Sequence, residues 1–415
     1  MALPKALVAA AGCKLSQAEA DLWKAWYRSN GYELADEETL DSEVSLCLVT
    51  TCTVTEPADR SSVSLIRRLH RKYPNAEIKV TGCGAETNPK KISTLPGVTE
   101  IIPYGRKQDI IGGVDFKEGD SVAAISRNRV FLRIGDGCDR RCSYCIVSRI
   151  RGPVSSKPAN DVLNELRVLY EKGFGEVVLV ALNLGLWGAD RGESLAGLLE
   201  RIEAEKSTFP RVRLTSLEPD TIDDRIIEVV ARSRRICPHL HIPLQSGDDG
   251  ILRTMNRPYT TSEFARLVEK VLAGIPDASI GTDIITSTPS EDEASFARTL
   301  DFVRSMPFSY LHAFTYSARP GTPMALQRRN SNPRERTKIL RELGAQKSLE
   351  FRSGFIGSRR EAVVLSRTRV LTDNYVDVHI SPTDLPVRSL AMVTITDAAE
   401  KETRGRLDTT MGRKT

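Results

Sequence analysis

The fold of this chain is decided by residues 130–145, which read VFLRIGDGCDRRCSYC. Four of the first five residues are apolar, as in a buried strand, and glycines follow where that strand would end. Five more segments of this kind occur before residue 350, and they alternate with helix-forming segments. This alternation predicts a full or partial parallel barrel, with a doubly wound sheet as the alternative. The predicted strands are residues 130–134, 177–181, 211–215, 239–243, 279–285 and 310–315, and the predicted helices are residues 160–172, 195–206, 223–233, 262–273 and 291–305.

The loop after the first strand carries three cysteines, Cys138, Cys142 and Cys145, with the spacing C-x3-C-x2-C. It lies on the face where such barrels place their active sites. Three thiolates can hold three irons of a [4Fe–4S] cube and leave the fourth iron open to chelate S-adenosylmethionine. The alternative is a structural zinc site, which usually needs four ligands, and the sequence has no fourth Cys or His nearby.

Residues 1–112 form a second alternating region, with predicted strands at 6–11, 46–51 and 78–81 and helices at 16–30 and 58–72. This pattern predicts a small open parallel α/β domain. Cys13, Cys52 and Cys83 each follow one of its strands, so they should meet at the carboxyl edge of the sheet. Each of them, taken alone, could be a buried small hydrophobic residue, which is how we interpret Cys47 and Cys237.

The last part of the chain changes to short β-like runs at residues 361–366, 375–380 and 391–396, which predict a small β-barrel. The tail after Asp397 is polar and is predicted to be mobile. Residues 117–128 are predicted to be a linker. The expected domains are therefore residues 1–112, 127–350 and 351–400.

Composition limits the possible classes of protein. The chain has 415 residues, a formal net charge of +5 and eight cysteines. No apolar run approaches the roughly 18 residues that span a bilayer, so no membrane association is expected. The sparse cysteines do not make a secreted disulfide framework, which favours the cytoplasm. Residues 319–369 contain 13 Lys or Arg against 4 Asp or Glu, which favours contact with RNA, the alternative being a solvated helix face.

The cysteine motifs and several later segments together resemble one known family, the radical S-adenosylmethionine enzymes, and within it the methylthiotransferase branch. The β-rich end resembles a TRAM domain, the RNA-binding domain of that branch. The segments that carry the resemblance are residues 12–14 (GCK), 50–55 (TTCTVT), 81–84 (TGCG), 136–152, 216–219 (SLEP), 239–247 (HLHIPLQSG), 255–259 (MNRPY) and 316–322 (YSARPGT).

The resemblance implies a partial (β/α)6 barrel, S-adenosylmethionine as methyl donor and radical source, and two [4Fe–4S] clusters. One cluster would generate the radical, and the auxiliary cluster would carry the sulfur that is methylated. Of the two histidines in the 239–247 motif, His239 and His241, one is expected to be structural, since we expect them to point in opposite directions. The implied ligands are Cys138, Cys142 and Cys145 for the radical cluster and Cys13, Cys52 and Cys83 for the auxiliary cluster, and the implied contacts to S-adenosylmethionine are Tyr144, Asn183, Glu218, Gln245 and Ser246.

Two segments depart from the family pattern. Val180-Ala181 stand where a Thr-Gly pair is common, and Ser287-Thr288-Pro289-Ser290 replace Gly-Phe-Pro-Gly. Both segments should line the barrel mouth, where loss of glycine narrows the allowed backbone conformations. We therefore expect these departures to bear on the choice of substrate.

The closest resemblance is to the subgroup that adds a methylthio group to C2 of threonylcarbamoyladenosine at position 37 of tRNA. It implies tRNA, through its anticodon loop, as a partner, together with an electron donor such as flavodoxin or ferredoxin and a sulfur donor of unknown identity. Other substrates remain open: isopentenyladenosine in tRNA, an aspartate of a ribosomal protein, or a peptide or small metabolite. The non-enzymatic alternative is an iron–sulfur module that binds RNA or senses redox state.

Overall fold

A computed structural model describes residues 3–36, 43–111, 128–205, 209–327 and 333–408. The first region is a five-stranded parallel sheet in the order β2-β1-β3-β4-β5, with buried apolar strands at its centre. Its strands are β1 (Lys5–Ala10), β2 (Glu33–Leu34), β3 (Val44–Thr51), β4 (Glu77–Gly82) and β5 (Val98–Ile101), and its helices are α1 (Lys14–Ser29), α2 (Glu56–Lys72), α3 (Cys83–Thr87), α4 (Pro89–Ser93) and α5 (Tyr104–Ile111).

The central region contains six parallel strands that form two three-stranded sheets. A parallel bridge between Ser216 and His241 joins the two sheets, so the strands make one open, partial barrel as expected. These strands are β6 (Val130–Arg133), β9 (Glu176–Val180), β10 (Arg211–Leu214), β11 (His239–His241), β12 (Ser279–Thr286) and β13 (Tyr310–Thr315), with a short antiparallel pair, β7 (Gly135–Asp136) and β8 (Ser155–Ser156), after β6.

Helices cover the outer face of this half barrel. Several begin at a side chain that accepts a backbone N–H of the first turn, as Ser194, Asp223 and Asp248 do, and Thr260 and Asp292 form full capping boxes. These caps explain why most helix limits read from the sequence lie within two residues of those observed. The helices are α6 (Val147–Arg151), α7 (Ala159–Glu171), α8 (Leu195–Ala204), α9 (Asp224–Arg232), α10 (Asp249–Thr254), α11 (Thr261–Gly274), α12 (Glu293–Ser305) and α13 (Pro333–Ser353).

The carboxyl-terminal region is a closed five-stranded barrel in the order β14-β15-β16-β18-β17. One prediction for this region was wrong, because the tail after Asp397 was expected to be mobile and instead supplies the closing strand. That strand carries the polar sequence TRGRL and pairs with both neighbours through its backbone, which an apolar pattern does not reveal. The strands are β14 (Arg359–Ser366), β15 (Arg369–Thr372), β16 (Asp377–His379), β17 (Leu390–Ala398) and β18 (Thr403–Leu407).

The three regions contact one another closely. Leu15 and Ala18 of α1 pack against Phe131, Val178 and Val180 on the inner face of the half barrel. Arg211 and Arg213 of β10 donate hydrogen bonds to main-chain carbonyls of the carboxyl-terminal barrel. The predicted linker at residues 117–128 lies outside the described residues except for its last position, so the domain limits 1–112, 127–350 and 351–400 stay a prediction. None of the helices in the described part of the chain combines the length and apolar character of a membrane span.

Candidate metal centres

The first cysteine triad lies at the carboxyl edge of the amino-terminal sheet. Cys13 precedes α1, Cys52 follows β3, and Cys83 opens α3 directly after β4. Strands β1, β3 and β4 are neighbours, so residues far apart in sequence meet at one edge. Cys52 interacts electrostatically with both Cys13 and Cys83. The structure therefore brings these three thiols together.

The glycine before Cys13 is required by this arrangement. Gly12 has φ +147°, and a Cβ added to it would lie 2.5 Å from the Cβ and 3.2 Å from the Sγ of Cys52. A side chain at position 12 would displace Cys52. The Gly-Cys pair of the motif thus reflects a close approach between two loops.

The second triad lies on the loop after β7, folded against two other segments, at residues 152–153 and at Met255. The amide of Cys138 donates to the carbonyl of Gly152 at 3.0 Å, and the amide of Ser143 donates to that of Met255 at 3.0 Å. Gly137 has φ +73°, and a Cβ there would lie 1.7 Å from the Pro153 carbonyl oxygen. Only glycine fits at that position, which explains why it directly precedes the first cysteine.

Nitrogen donors surround the sulfur atoms of both triads. The Arg257 guanidinium donates to Cys142 Sγ at 3.2 Å, the Arg151 guanidinium to Cys83 Sγ at 3.3 Å, and the Asn183 amide to Cys138 Sγ at 3.8 Å. Backbone N–H groups also point at the thiols of Cys52 and Cys145. Donors of this kind suit the anionic sulfur of a metal cluster.

In the absence of a metal, burial favours the protonated form of four of these thiols. Burial raises the pKa of Cys52 to about 11, and it also raises the pKa of Cys83, Cys138 and Cys145 above the ordinary value. A bound metal would displace those protons, since it binds the thiolate. The same donors would then stabilise the negative charge. The residues present therefore fit an iron–sulfur cluster at each triad.

The zinc alternative fits the spacing less well. In a tetrahedral zinc–thiolate site the sulfur atoms lie about 3.8 Å apart. Within the described ranges, the one group of three potential ligands whose atoms all lie within 4.8 Å of one another is His241, Asp283 and His312. Neither cysteine triad has the tight spacing of a zinc site.

Helix α6 connects the two triads. It begins two residues after Cys145, and Ile146 and Val147 pack against Cys83. At the end of α6, Arg151 contacts Glu19 and Asp136 at 2.8 Å each as well as Cys83. All of these side chains are buried. A short rigid element thus fixes the position of one triad relative to the other.

Of the five residues implied to contact S-adenosylmethionine, three lie around the second triad, and Gln245 and Ser246 lie on the loop after β11. Tyr144, Asn183 and Glu218 lie around the second triad, where Tyr144 interacts with Cys142 and the carboxylate of Glu218 pairs with Arg257. Gln245 has φ +70°, and its backbone joins β12 through Asp283 and Ile285.

Ser246 differs from these residues. It is fully buried, and its hydroxyl contacts the Thr299 hydroxyl of α12 at 3.2 Å. Its side chain therefore anchors the loop rather than pointing toward the second triad.

The prediction that His239 and His241 point in opposite directions was wrong. Residues two apart on a strand share a face, and both rings lie inside the half barrel, 2.8 Å and 3.1 Å from the Tyr310 hydroxyl. Asp283 lies 3.1 Å from both His241 and His312. We call His239, His241, Asp283, Tyr310 and His312 the interior polar cluster. Sequence reasoning missed it, although polar residues at every second position of β11, β12 and β13 were the available signal.

The departure at residues 287–290 has a backbone consequence. Ser287 has φ +60°, in the left-handed region that favours glycine. The hydroxyls of Ser287 and Thr288 are buried without a hydrogen-bond partner among the described residues. The loop therefore keeps the conformation that suits glycine although serine now occupies it.

Two family models match this chain. The one described as "Uncharacterized protein family UPF0004" matches residues 5–102, and the one described as "Radical SAM superfamily" matches residues 132–303. Each match contains one complete cysteine triad. The two matches correspond to the amino-terminal sheet and to most of the half barrel.

Curated relatives align along most of the chain. "Threonylcarbamoyladenosine tRNA methylthiotransferase MtaB" of Thermotoga maritima is 34% identical, over 85% of this chain and 84% of its own. The protein of the same name from Aquifex aeolicus is 33% identical, over 88% and 94%. The "tRNA-2-methylthio-N(6)-dimethylallyladenosine synthase" of Halalkalibacterium halodurans is 31% identical, over 84% and 70%. Among solved structures, the radical S-adenosylmethionine methyltransferase TsrM from Kitasatospora setae has a similar fold, with TM-score 0.57, 16% identity, and coverage of 78% of this chain and 77% of that one.

Proposed function

Because this chain belongs to the radical S-adenosylmethionine methylthiotransferase family, we propose that it adds a methylthio group to C2 of threonylcarbamoyladenosine at position 37 of tRNA. It is a transferase with two [4Fe–4S] clusters and S-adenosylmethionine as cofactors. The observation that carries this proposal is the pair of cysteine triads, each with nitrogen donors at its sulfur atoms and joined by α6.

The two triads have separate roles in this proposal. Cys138, Cys142 and Cys145 would hold the radical-generating cluster, and Cys13, Cys52 and Cys83 would hold the auxiliary cluster. When bound, the radical-generating cluster supplies an electron that cleaves S-adenosylmethionine, and the auxiliary cluster carries the transferred sulfur.

The chain's own side chains orient these centres. Arg257 donates to Cys142 and Asn183 to Cys138 in the second triad, and Arg151 donates to Cys83 in the first. Tyr144 would lie against the adenine of S-adenosylmethionine, and Glu218 and Gln245 would bind its polar groups. Ser246 would act indirectly, because it holds the loop that carries Gln245.

The macromolecular partner is tRNA, and we propose that its anticodon loop enters the half barrel. The excess of Lys and Arg in the sequence of residues 319–369 and the TRAM-like barrel at residues 359–407 support this docking, since a polyphosphate is attracted to positive charge. A flavodoxin or ferredoxin would supply the electron, and a sulfur donor of unknown identity would restore the auxiliary cluster. The cytoplasm, where tRNA is modified, is the proposed location.

The decisive experiment is mass spectrometry of tRNA nucleosides from cells with and without the gene. The 2-methylthio form of threonylcarbamoyladenosine should disappear in the deletion strain. The wild-type gene should restore it, and a gene encoding Cys142→Ala should not. Unchanged tRNA nucleosides in the deletion strain would refute the proposal.

Isopentenyladenosine is the second candidate substrate, supported by the relative that is 31% identical and named for the dimethylallyl nucleoside. The same measurement distinguishes the two. Loss of the 2-methylthio form of isopentenyladenosine alone would favour this second candidate.

A further inference from the structure

The inner face of the half barrel contains an unusual excess of cationic groups. Glu176 is fully buried, and three guanidinium groups share its single carboxylate: Arg129 at 3.0 Å, Arg211 at 2.6 Å and Arg213 at 2.8 Å. Burial, together with the positive charges of Arg213, Lys14 and Arg129, holds the pKa of His239 well below its ordinary value, so its ring is neutral. The surroundings favour an additional anion.

One cation on this face has no anionic partner. Lys14 is partly buried, and its Nζ lies 6.0 Å from the ring centroid of Tyr375. It makes no hydrogen bond or ion pair with any residue in the described ranges, although Asp283 interacts with it electrostatically over a longer distance. The arginines nearby have carboxylate partners, whereas the Lys14 ammonium group remains available for a ligand.

The position of Lys14 relates this free charge to the reaction. It directly follows Cys13, and both residues lie at the amino-terminal end of α1, where the helix dipole also favours negative charge. In adenine, C2 and the C6 atom that carries the N6 substituent both flank N1, so a base whose C2 atom approaches the auxiliary triad can present its N6 substituent to the same end of α1.

The part of strands β12 and β13 that carries the interior polar cluster is accessible to a ligand. The side chain of His312 is 57% exposed and that of Asp283 is 25% exposed, and both belong to the interior polar cluster. Hydrogen-bonding groups of a substrate would find partners there next to the lysine.

We infer that Lys14 is a specificity-determining residue that pairs with the carboxylate of the threonylcarbamoyl group. This inference rests on the proposed function, because threonylcarbamoyladenosine carries a carboxylate on its N6 substituent and isopentenyladenosine does not. A charge-assisted hydrogen bond of this kind discriminates by about 10- to 100-fold.

The test compares two anticodon stem-loop RNAs, one with threonylcarbamoyladenosine and one in which the threonine carboxylate is a carboxamide. Binding to the anaerobic holoenzyme with S-adenosylmethionine is measured by fluorescence anisotropy, and kcat/KM is measured in parallel. We expect the wild type to prefer the carboxylate RNA by about 10- to 100-fold in Kd. Lys14→Met should lose that preference, and Lys14→Arg should keep part of it.

Two controls separate charge recognition from damage to the fold. Lys172→Met, at an exposed helix end, should retain the full wild-type preference. The iron content and the electron paramagnetic resonance signals of Lys14→Met should match those of the wild type, because Lys14 adjoins Cys13.

The outcomes are distinguishable. The inference is wrong if Lys14→Met leaves the binding of both RNAs unchanged or weakens both by the same factor, because the preference for the carboxylate RNA then remains. In the second case the lysine contacts the RNA backbone. A wild-type enzyme that prefers the carboxylate RNA in binding but methylthiolates neither RNA would refute the proposed function and leave the binding inference supported.

Discussion

Arg151 and Cys83 are 68 positions apart, yet the guanidinium Nε of Arg151 donates a hydrogen bond to the thiol sulfur of Cys83 at 3.3 Å. Arg151 also binds Glu19 and Asp136, and Glu19 in turn pairs with Lys107 at 2.6 Å. Arg151 therefore links the end of α6 to Cys83, a proposed ligand of the auxiliary cluster.

We predict that Arg151→Lys lowers the reduction potential of the auxiliary cluster. Loss of one charge-assisted hydrogen bond to a cluster sulfur corresponds to roughly 65–130 mV. Redox titration followed by electron paramagnetic resonance measures the shift. Arg106→Lys, in an exposed ion pair with Glu100, is the control and should leave the potential unchanged. An unaltered potential in Arg151→Lys would show that the contact does not affect the cluster.

The two triads should be separable by mutation. Reconstituted wild-type protein should hold about eight irons, and replacing Cys138, Cys142 and Cys145 by Ala should leave about four and abolish reductive cleavage of S-adenosylmethionine. Replacing Cys13, Cys52 and Cys83 by Ala should also halve the iron. That second variant should still form 5′-deoxyadenosine, but without a methylthio product.

The buried cysteines outside the triads provide the matched control for this experiment. Cys47 and Cys237 are fully buried, and neither belongs to a triad. Cys47→Ala and Cys237→Ala should keep about eight irons. Normal methylthiolation by the Cys13, Cys52 and Cys83 triple variant would exclude an auxiliary cluster at that position.

Ser287→Gly should stabilise the protein. Ser287 has a left-handed backbone, and its hydroxyl is buried without a described partner, so glycine relieves about 1 kcal/mol of strain. Urea denaturation under anaerobic conditions measures the free energy of unfolding. Ser290→Gly in the same loop, where φ is negative, should instead lower it by about 0.4–1 kcal/mol.

Glu176→Gln should destabilise the protein by about 3–5 kcal/mol, because it leaves the buried Arg211 and Arg213 and the partly buried Arg129 without their shared carboxylate. The comparison is Glu361→Gln. That side chain is 37% exposed and lies 3.3 Å from Arg211, so its loss should cost less than about 1 kcal/mol. Similar losses in the two variants, measured by urea denaturation, would contradict this account.

Local pattern was sufficient for most of the fold. The barrel strands were placed to within two residues because each contains several apolar residues and is bounded by a turn signal or a helix cap. The failures have physical reasons. Strand Thr403–Leu407 is held by backbone pairing and has no apolar pattern. His239 and His241 were predicted to lie on opposite faces of their strand, although residues two apart share a face.

The site was only partly accessible from sequence. Strand ends predicted that Cys13, Cys52 and Cys83 would be neighbours, since adjacent parallel strands share an edge. The contacts from Arg151 to Cys83 and from Arg257 to Cys142 span 68 and 115 positions and depend on how loops from different strands pack. No local pattern encodes such tertiary contacts.

Tyr375 belongs to the carboxyl-terminal barrel, adopts φ +70°, and stacks on His239 with ring centroids 4.2 Å apart. The same ring faces Lys14 and Arg213. The carboxyl-terminal barrel thus supplies part of the lining of the half barrel and is not a structurally separate module. Because we propose that the anticodon loop enters the half barrel, exchanging the carboxyl-terminal barrel between relatives would also change the lining around the substrate base, so chimeras cut near residue 350 should report on nucleoside choice and not only on RNA affinity.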